Sequence, residues 1–132
     1  MTQLDVQTHA KDELIDITAS IRSIVTNSQV RDGLCLIYVP HTTAGVTINE
    51  NADPSVKSDI LMALRNIVPD SLPYSHTEGN SPGHMKSTLV GCSASVLINN
   101  GRLSLGTWQG IFFCEFDGPR NRKAFVKIIP LQ

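Results

Sequence analysis

The sequence predicts an α+β fold, a single compact domain in which two or three helices pack on a large, mostly antiparallel sheet. Three observations predict it. Apolar–polar alternation or short apolar runs of strand length occur in eight places, whereas apolar residues at helical spacing occur in only two or three. The C-terminal strands follow one another through short turns, without the crossover helices that parallel pairing needs. The chain has 132 residues with no repeat, low-complexity segment or linker, which is the size of one domain.

Leu4, Val6 and Thr8 alternate with polar residues and open the chain as a strand, and Glu13–Ile17 reads as a second. From Thr18 the spacing becomes helical through Ile21, Ile24 and Val25, with Asp16 or Thr18 as the cap. That helix ends near Asn27, before an Arg31-Asp32-Gly33 turn. Leu34–Val39 is continuously apolar and is expected as a central strand buried on both faces. After Pro40, Gly45–Asn49 is extended. Asp53-Pro54 is an N-cap followed by proline at the first helical position. The helix it starts runs to about Val68, with Val56, Ile60, Leu64 and Ile67 on one face and Pro69 beyond its end. A polar stretch, Tyr74 to Gly83, precedes a short helix from His84 to Val90 that Gly91 closes. Ala94–Ile98 and Leu103–Leu105 form a hairpin about Asn99-Asn100-Gly101. Gly110–Phe116 and Ala124–Ile129 are two further strands joined through Asp117-Gly118-Pro119.

Composition narrows the function classes. The net charge is −1 and aromatics are 5% of the chain, which argues against nucleic-acid binding by a basic surface or by base stacking. The longest apolar run has six residues, too short to cross a bilayer, and Met1 to Ala10 has no signal-peptide pattern, so no membrane association is expected. Cys35, Cys92 and Cys114 sit in apolar strand-like runs with no CxxC spacing. They are expected as small buried residues of a cytoplasmic protein. Trp108, the one tryptophan, is assigned to core or interface packing. Charge is uneven along the chain: residues 1–70 carry five basic and nine acidic side chains, residues 71–132 six and three. The late basic excess at Arg120, Arg122, Lys123 and Lys127 can receive an anion or form a solvated strand face.

Chemically capable residues concentrate in three segments. HTTAGVTINENAD places His41 at a strand end and Glu50 and Asp53 on the loop before a helix. HTEGNSPGH brackets a glycine-containing turn with His76 and His84. EFDGPRNR carries Glu115 and Asp117 on one face of a strand, and Arg120 and Arg122 on one face of the next. Three imidazoles suit a transition metal with one open position for catalysis. Their spacing matches no helical ligand pair, and capping or loop hydrogen bonds are the alternative. Asp53 is equally accounted for as an N-cap, and the arginines as cross-hairpin partners of Glu115 and Asp117. His9, alone on a strand, is structural or exposed.

Together, HTTAGVTINENADPSV, YSHTEGNSPGHMKSTLVG and GTWQGIFFCEFDGPRNR resemble the YjbQ-like family, also called secondary thiamine-phosphate synthases. The resemblance covers residues 1–132 as one YjbQ-like domain. It implies a homotrimer with pockets at or near subunit boundaries. It also implies a divalent metal, zinc before magnesium or manganese, on His41, His76 and His84. The implied activity is a weak or secondary transferase reaction joining a pyrimidine pyrophosphate to a thiazole phosphate. Glu50, Asp53 and Glu115 would serve catalysis there, and Asn80, Lys86 and Arg120 would bind the phosphorylated small-molecule substrate. The other readings are a metal-assisted hydrolase and a non-catalytic trimer that binds a metal or small ligand.

Overall fold

The structure, a computed structural model, describes residues 1–131. Eight strands and three helices follow in the order β1 (Thr2–Gln7), β2 (Glu13–Asp16), α1 (Thr18–Ser28), β3 (Gly33–Tyr38), β4 (Ala44–Glu50), α2 (Pro54–Ile67), α3 (Ser81–Val90), β5 (Ser93–Asn99), β6 (Arg102–Leu103), β7 (Gln109–Glu115) and β8 (Asn121–Pro130). Every strand pair is antiparallel, as the turn signals predict. Five strands pair in the order β1-β8-β3-β5-β6 and three in the order β2-β7-β4.

The main core lies between these two groups of strands. Cys35, Ile37, Val96 and Val126 from the larger sheet meet Val46, Ile111 and Phe113 from the smaller, and Ile21 and Val25 of α1 complete the cluster. A second cluster, Leu14, Phe112, Cys114 and Phe116, lies on the other face of the smaller sheet under Ile60, Leu61 and Leu64 of α2 and Val90 of α3. The strand buried on both faces is therefore β7, not β3. β7 runs between the main core and the helices. The outward residues of β3, Leu34, Leu36 and Tyr38, are only half-buried or exposed, and Tyr38 is 46% exposed.

Local chemistry sets the helix ends. Asp53 accepts a hydrogen bond from the Ser55 N–H at 2.9 Å, and Pro54 opens α2 as expected. Asp16 accepts from the Thr18 N–H at 2.9 Å ahead of α1. α3 begins three residues earlier than the spacing predicts, because Pro82 fits its first turn after Asn80. Ile67 lies outside the apolar contact of α2 and is exposed. Asn100 and Gly101 both take positive φ, the backbone of a tight hairpin turn, which limits β6 to two paired residues. Cys92 is exposed rather than buried, since it falls in the α3–β5 connection, and Trp108 is exposed on the loop before β7 rather than in the core.

Candidate functional site

Three connections converge at one end of the molecule: the β3–β4 loop, the N-terminal turn of α3 with the loop before it, and the β7–β8 turn. They enclose a cleft of about 530 Å3 lined by His41, His76, Asn80, His84, Asp117 and Arg120, among others. Seven of the residues singled out from the sequence thus meet: all three histidines, Asn80, Asp117, Arg120 and Arg122.

A buried ion pair supports the cleft from below. Glu115 has no exposed surface and is gripped by Arg122, which is itself buried. The carboxylate also accepts from the Thr8 hydroxyl at 2.7 Å and from the Phe116 and Asp117 N–H groups at 3.0 Å. Burial pushes the Glu115 carboxyl up, but the bonds from Arg122, Thr8 and the Asp117 N–H outweigh it and hold the group below its ordinary value. Arg122 also donates to the Thr43 hydroxyl at 2.8 Å, tying the β3–β4 loop to β8. Glu115 is therefore a positioning residue, because Arg122 and backbone N–H groups surround its oxygens.

Asp117 organises the upper wall. Its Oδ2 accepts from Asn80 Nδ2 and from an Arg120 terminal nitrogen, both at 2.9 Å, and its carbonyl accepts from Arg120 Nε. Arg120 is half exposed and keeps donors free for a ligand. Asn80 Oδ1 is buried with no hydrogen-bond partner among the described residues. Both arginines pair with the carboxylates expected from the sequence, Arg122 with Glu115 and Arg120 with Asp117. Only the former pair is sealed from water.

The histidines differ from one another. His41 Nε2 accepts a hydrogen bond from the Lys123 N–H at 3.1 Å, so the neutral ring carries its proton on Nδ1. Burial, then the nearby Arg122 charge, lowers the His41 pKa from 6.5. His76 and His84 meet edge to face with ring centroids 5.3 Å apart, and His76 Nε2 lies 3.7 Å from Glu78 Oε2. The three rings do not form a ready metal triad. One His41 nitrogen is engaged, and no group of three or more His, Cys, Asp or Glu side chains among the described residues is arranged to hold an ion.

Three other sequence candidates lie elsewhere. Lys86 is buried on α3 and donates to Asp12 Oδ2 at 2.8 Å, so it is spent on the α3–β2 side of the fold instead of facing a phosphate. Glu50 pairs with Gln109 at the opposite end of β4 from Ala44, which faces Glu115. Six residues of strand separate those ends, roughly 20 Å at ~3.3 Å per residue, so Glu50 does not reach the cleft of its own chain. Asp53 lies beyond Glu50 and caps α2. Thr8 and Thr43 contribute to the site without being singled out as site residues from the sequence. An isolated strand threonine carries no signal that a buried carboxylate or guanidinium needs it. His9 is exposed and bonds through its backbone N–H to Glu13.

The family model described as UPF0047 protein YjbQ-like matches residues 2–131. The UPF0047 protein MJ1081 of Methanocaldococcus jannaschii is 57% identical over 124 residues, covering 94% of this chain and 90% of that protein. The UPF0047 protein YugU of Bacillus subtilis is 50% identical, covering 96% of both. A crystal structure of a YjbQ/UPF0047-family protein from Clostridium acetobutylicum superposes with a TM-score of 0.96 at 52% identity, covering 98% of this chain and 100% of that one. A YbjQ-like protein of unknown function from Sulfolobus solfataricus superposes at 0.95 with 34% identity, covering 98% of this chain and 96% of that one. The fold, the three chemical segments and these relatives agree: the chain belongs to the YjbQ-like UPF0047 family.

Proposed function

We propose that the cleft is an enzyme site for a phosphorylated small molecule, with Arg120 receiving the phosphate and the His41 Nδ1–H donating a hydrogen bond to the bound compound. The observation that carries this reading is the convergence of three imidazoles and a half-exposed guanidinium on one cleft. The lowered His41 pKa supports a neutral ring near pH 7, and with Nε2 engaged by the Lys123 N–H that ring offers its Nδ1–H as a hydrogen-bond donor. Thiamine-phosphate formation falls within this substrate class, since a pyrimidine pyrophosphate and a thiazole phosphate both carry the anion that Arg120 suits. Hydrolysis of a phosphate ester uses the same groups with water as the acceptor.

Calorimetry with inorganic pyrophosphate tests the reading. Wild-type protein binds it, and Arg120→Ala weakens binding by about tenfold, equivalent to 1.4 kcal/mol. Equal affinity in the two proteins removes the anion role of Arg120. A screen of phosphate esters against wild type and His41→Ala then tests catalysis.

A second reading is favoured by the His76–His84 ring pair. A divalent metal, zinc before magnesium or manganese, binds these two imidazoles with further ligands supplied on binding. Elemental analysis of untagged protein beside His76→Ala decides it. Metal near one per chain that is lost in the variant supports it, and none in either protein after zinc or manganese addition removes it.

The expected homotrimer has a surface to form on. The outward faces of β3, β5 and β8 place Leu34, Leu36, Tyr38, Leu97, Phe125 and Ile129 side by side, each half-buried or exposed, with no helix above them among the described residues. Subunit packing there covers the second face of an apolar strand. Tyr38→Asp is expected to yield monomers by analytical ultracentrifugation. The three free thiols support a reducing compartment, the cytoplasm. Burial pushes Cys35 up to about 11 and Cys114 to about 12, which leaves both inert.

A further inference from the structure

At the end of the larger sheet opposite the histidine cleft, α1 and the β5–β6 turn form a groove. Two adjoining hollows of about 250 and 560 Å3 share Val25, Thr26, Gly101 and Arg102. Arg22 lines one, Arg31 lines the other and Arg102 lines both. All three arginines are exposed, and none makes a salt bridge or a side-chain hydrogen bond among the described residues. Their isolation is written into the sequence. No Asp or Glu occurs from Ile17 to Arg31 or from Ser93 to Cys114, the segments that build both walls. Asp32, next to Arg31, is the one acid close in sequence.

Three arginines line these adjoining hollows with no acidic residue among the lining, and a bound anion offsets the repulsion between their charges. Guanidinium is also the side chain whose planar fork matches phosphate oxygens two at a time. Thr26, Gln29 and Asn100 add neutral hydrogen-bonding groups along the same walls. The groove is remote from His41. The Asn100-Gly101 turn follows the Gly33–Ile98 end of the β3–β5 pairing, whereas His41 follows the Tyr38 end. Five residues of strand, roughly 17 Å at ~3.3 Å per residue, separate those ends.

We propose that this groove is a second anion site, which takes a small molecule carrying more than one phosphate group through Arg22, Arg31 and Arg102. It is independent of the histidine cleft and of whatever reaction occurs there.

The test follows the arginine Nε–H resonances of the full-length protein by 15N NMR as pyrophosphate is added. The expected result is saturable movement of the Arg22, Arg31 and Arg102 signals at millimolar pyrophosphate. Those shifts persist in Arg120→Ala. Affinity at these signals falls about tenfold in Arg102→Ala, or in Arg22→Ala, while the spectrum remains that of a folded protein. Three results overturn the proposal: signals that do not move, signals that move equally with sodium chloride of matched ionic strength, and an Arg102→Ala affinity equal to wild type.

Discussion

Arg122 and Glu115 form a sealed ion pair beneath the histidine cleft, with side chains 3% and 0% exposed. The pair joins β8 to β7, and the Arg122 bond to Thr43 draws in the loop that carries His41. The Lys123 N–H, one residue along β8, then fixes the His41 ring. The cleft therefore inherits its shape from a charge pair that does not line it as a pair.

Removing one partner leaves the other charge buried without compensation. Glu115→Ala or Arg122→Met alone is expected to cost about 3–5 kcal/mol, whereas the double variant Glu115→Leu/Arg122→Met recovers much of that loss. Urea denaturation checks both statements. Single variants as stable as wild type would contradict the role given to the pair.

The same carboxyl sets an acid limit. Its folded pKa lies below the ordinary 4.5, so the unfolded chain binds the proton first. The stability it contributes is complete above about pH 4.5 and is lost as pH falls through the lower folded value. Urea midpoints from pH 7 to pH 3 are expected to fall steeply below 4.5 in wild type and less steeply in Glu115→Gln.

His41 titrates below 6.5, because burial and the Arg122 charge both disfavour the imidazolium. Folding stability linked to this ring is therefore complete above 6.5 and is lost as pH falls through the folded pKa. NMR titration of the ring protons measures the midpoint directly. Arg122→Met with Glu115→Leu removes two of the charged neighbours, leaving burial and the weaker effect of the Lys123 charge to lower it.

Gly83 sits where α3 touches the end of β7. A Cβ there would lie 2.8 Å from the Phe116 carbonyl oxygen and 3.4 Å from Thr43 Cβ, and the backbone atom cannot swing aside. Gly83→Ala is expected to cost about 1–3 kcal/mol by overpacking. It displaces the turn that carries Asn80 and His84, so pyrophosphate affinity at the cleft falls as well. Thermal denaturation and calorimetry on the same variant test both effects.

Lys86 makes the opposite prediction for binding. Lys86→Ala leaves the Asp12 carboxylate without its cation and is expected to cost about 3–5 kcal/mol of stability. Pyrophosphate affinity of the folded fraction stays at the wild-type value. A selective loss of affinity with unchanged stability would return Lys86 to the ligand site.

Much of this arrangement is legible in the residue order. Alternation located the strands, Asp53-Pro54 marked the start of α2, and Asn100-Gly101 marked the hairpin turn, because each depends on backbone preferences within a few residues. The clustering of unusual residues around His41, His76–His84 and Arg120 likewise pointed to the loops that form the cleft. Local pattern failed where burial was set by a distant element. Leu34–Val39 and Ile111–Cys114 are both apolar runs, and which one lies between two packed layers depends on where α2 and α3 settle.

The α+β class, the start of α2, the hairpin and the family are readable from residue order, since these rest on period, turn chemistry and motifs along the chain. That His41, His76, His84 and Arg120 share a cleft, that Lys86 and Glu115 are consumed in buried pairs, and that Glu50 stands at the far end of β4 follow from packing in three dimensions. A side chain's chemical capacity is written in its type. Whether it meets a ligand, a counter-charge or open solvent depends on antiparallel register and layer packing between residues far apart in sequence.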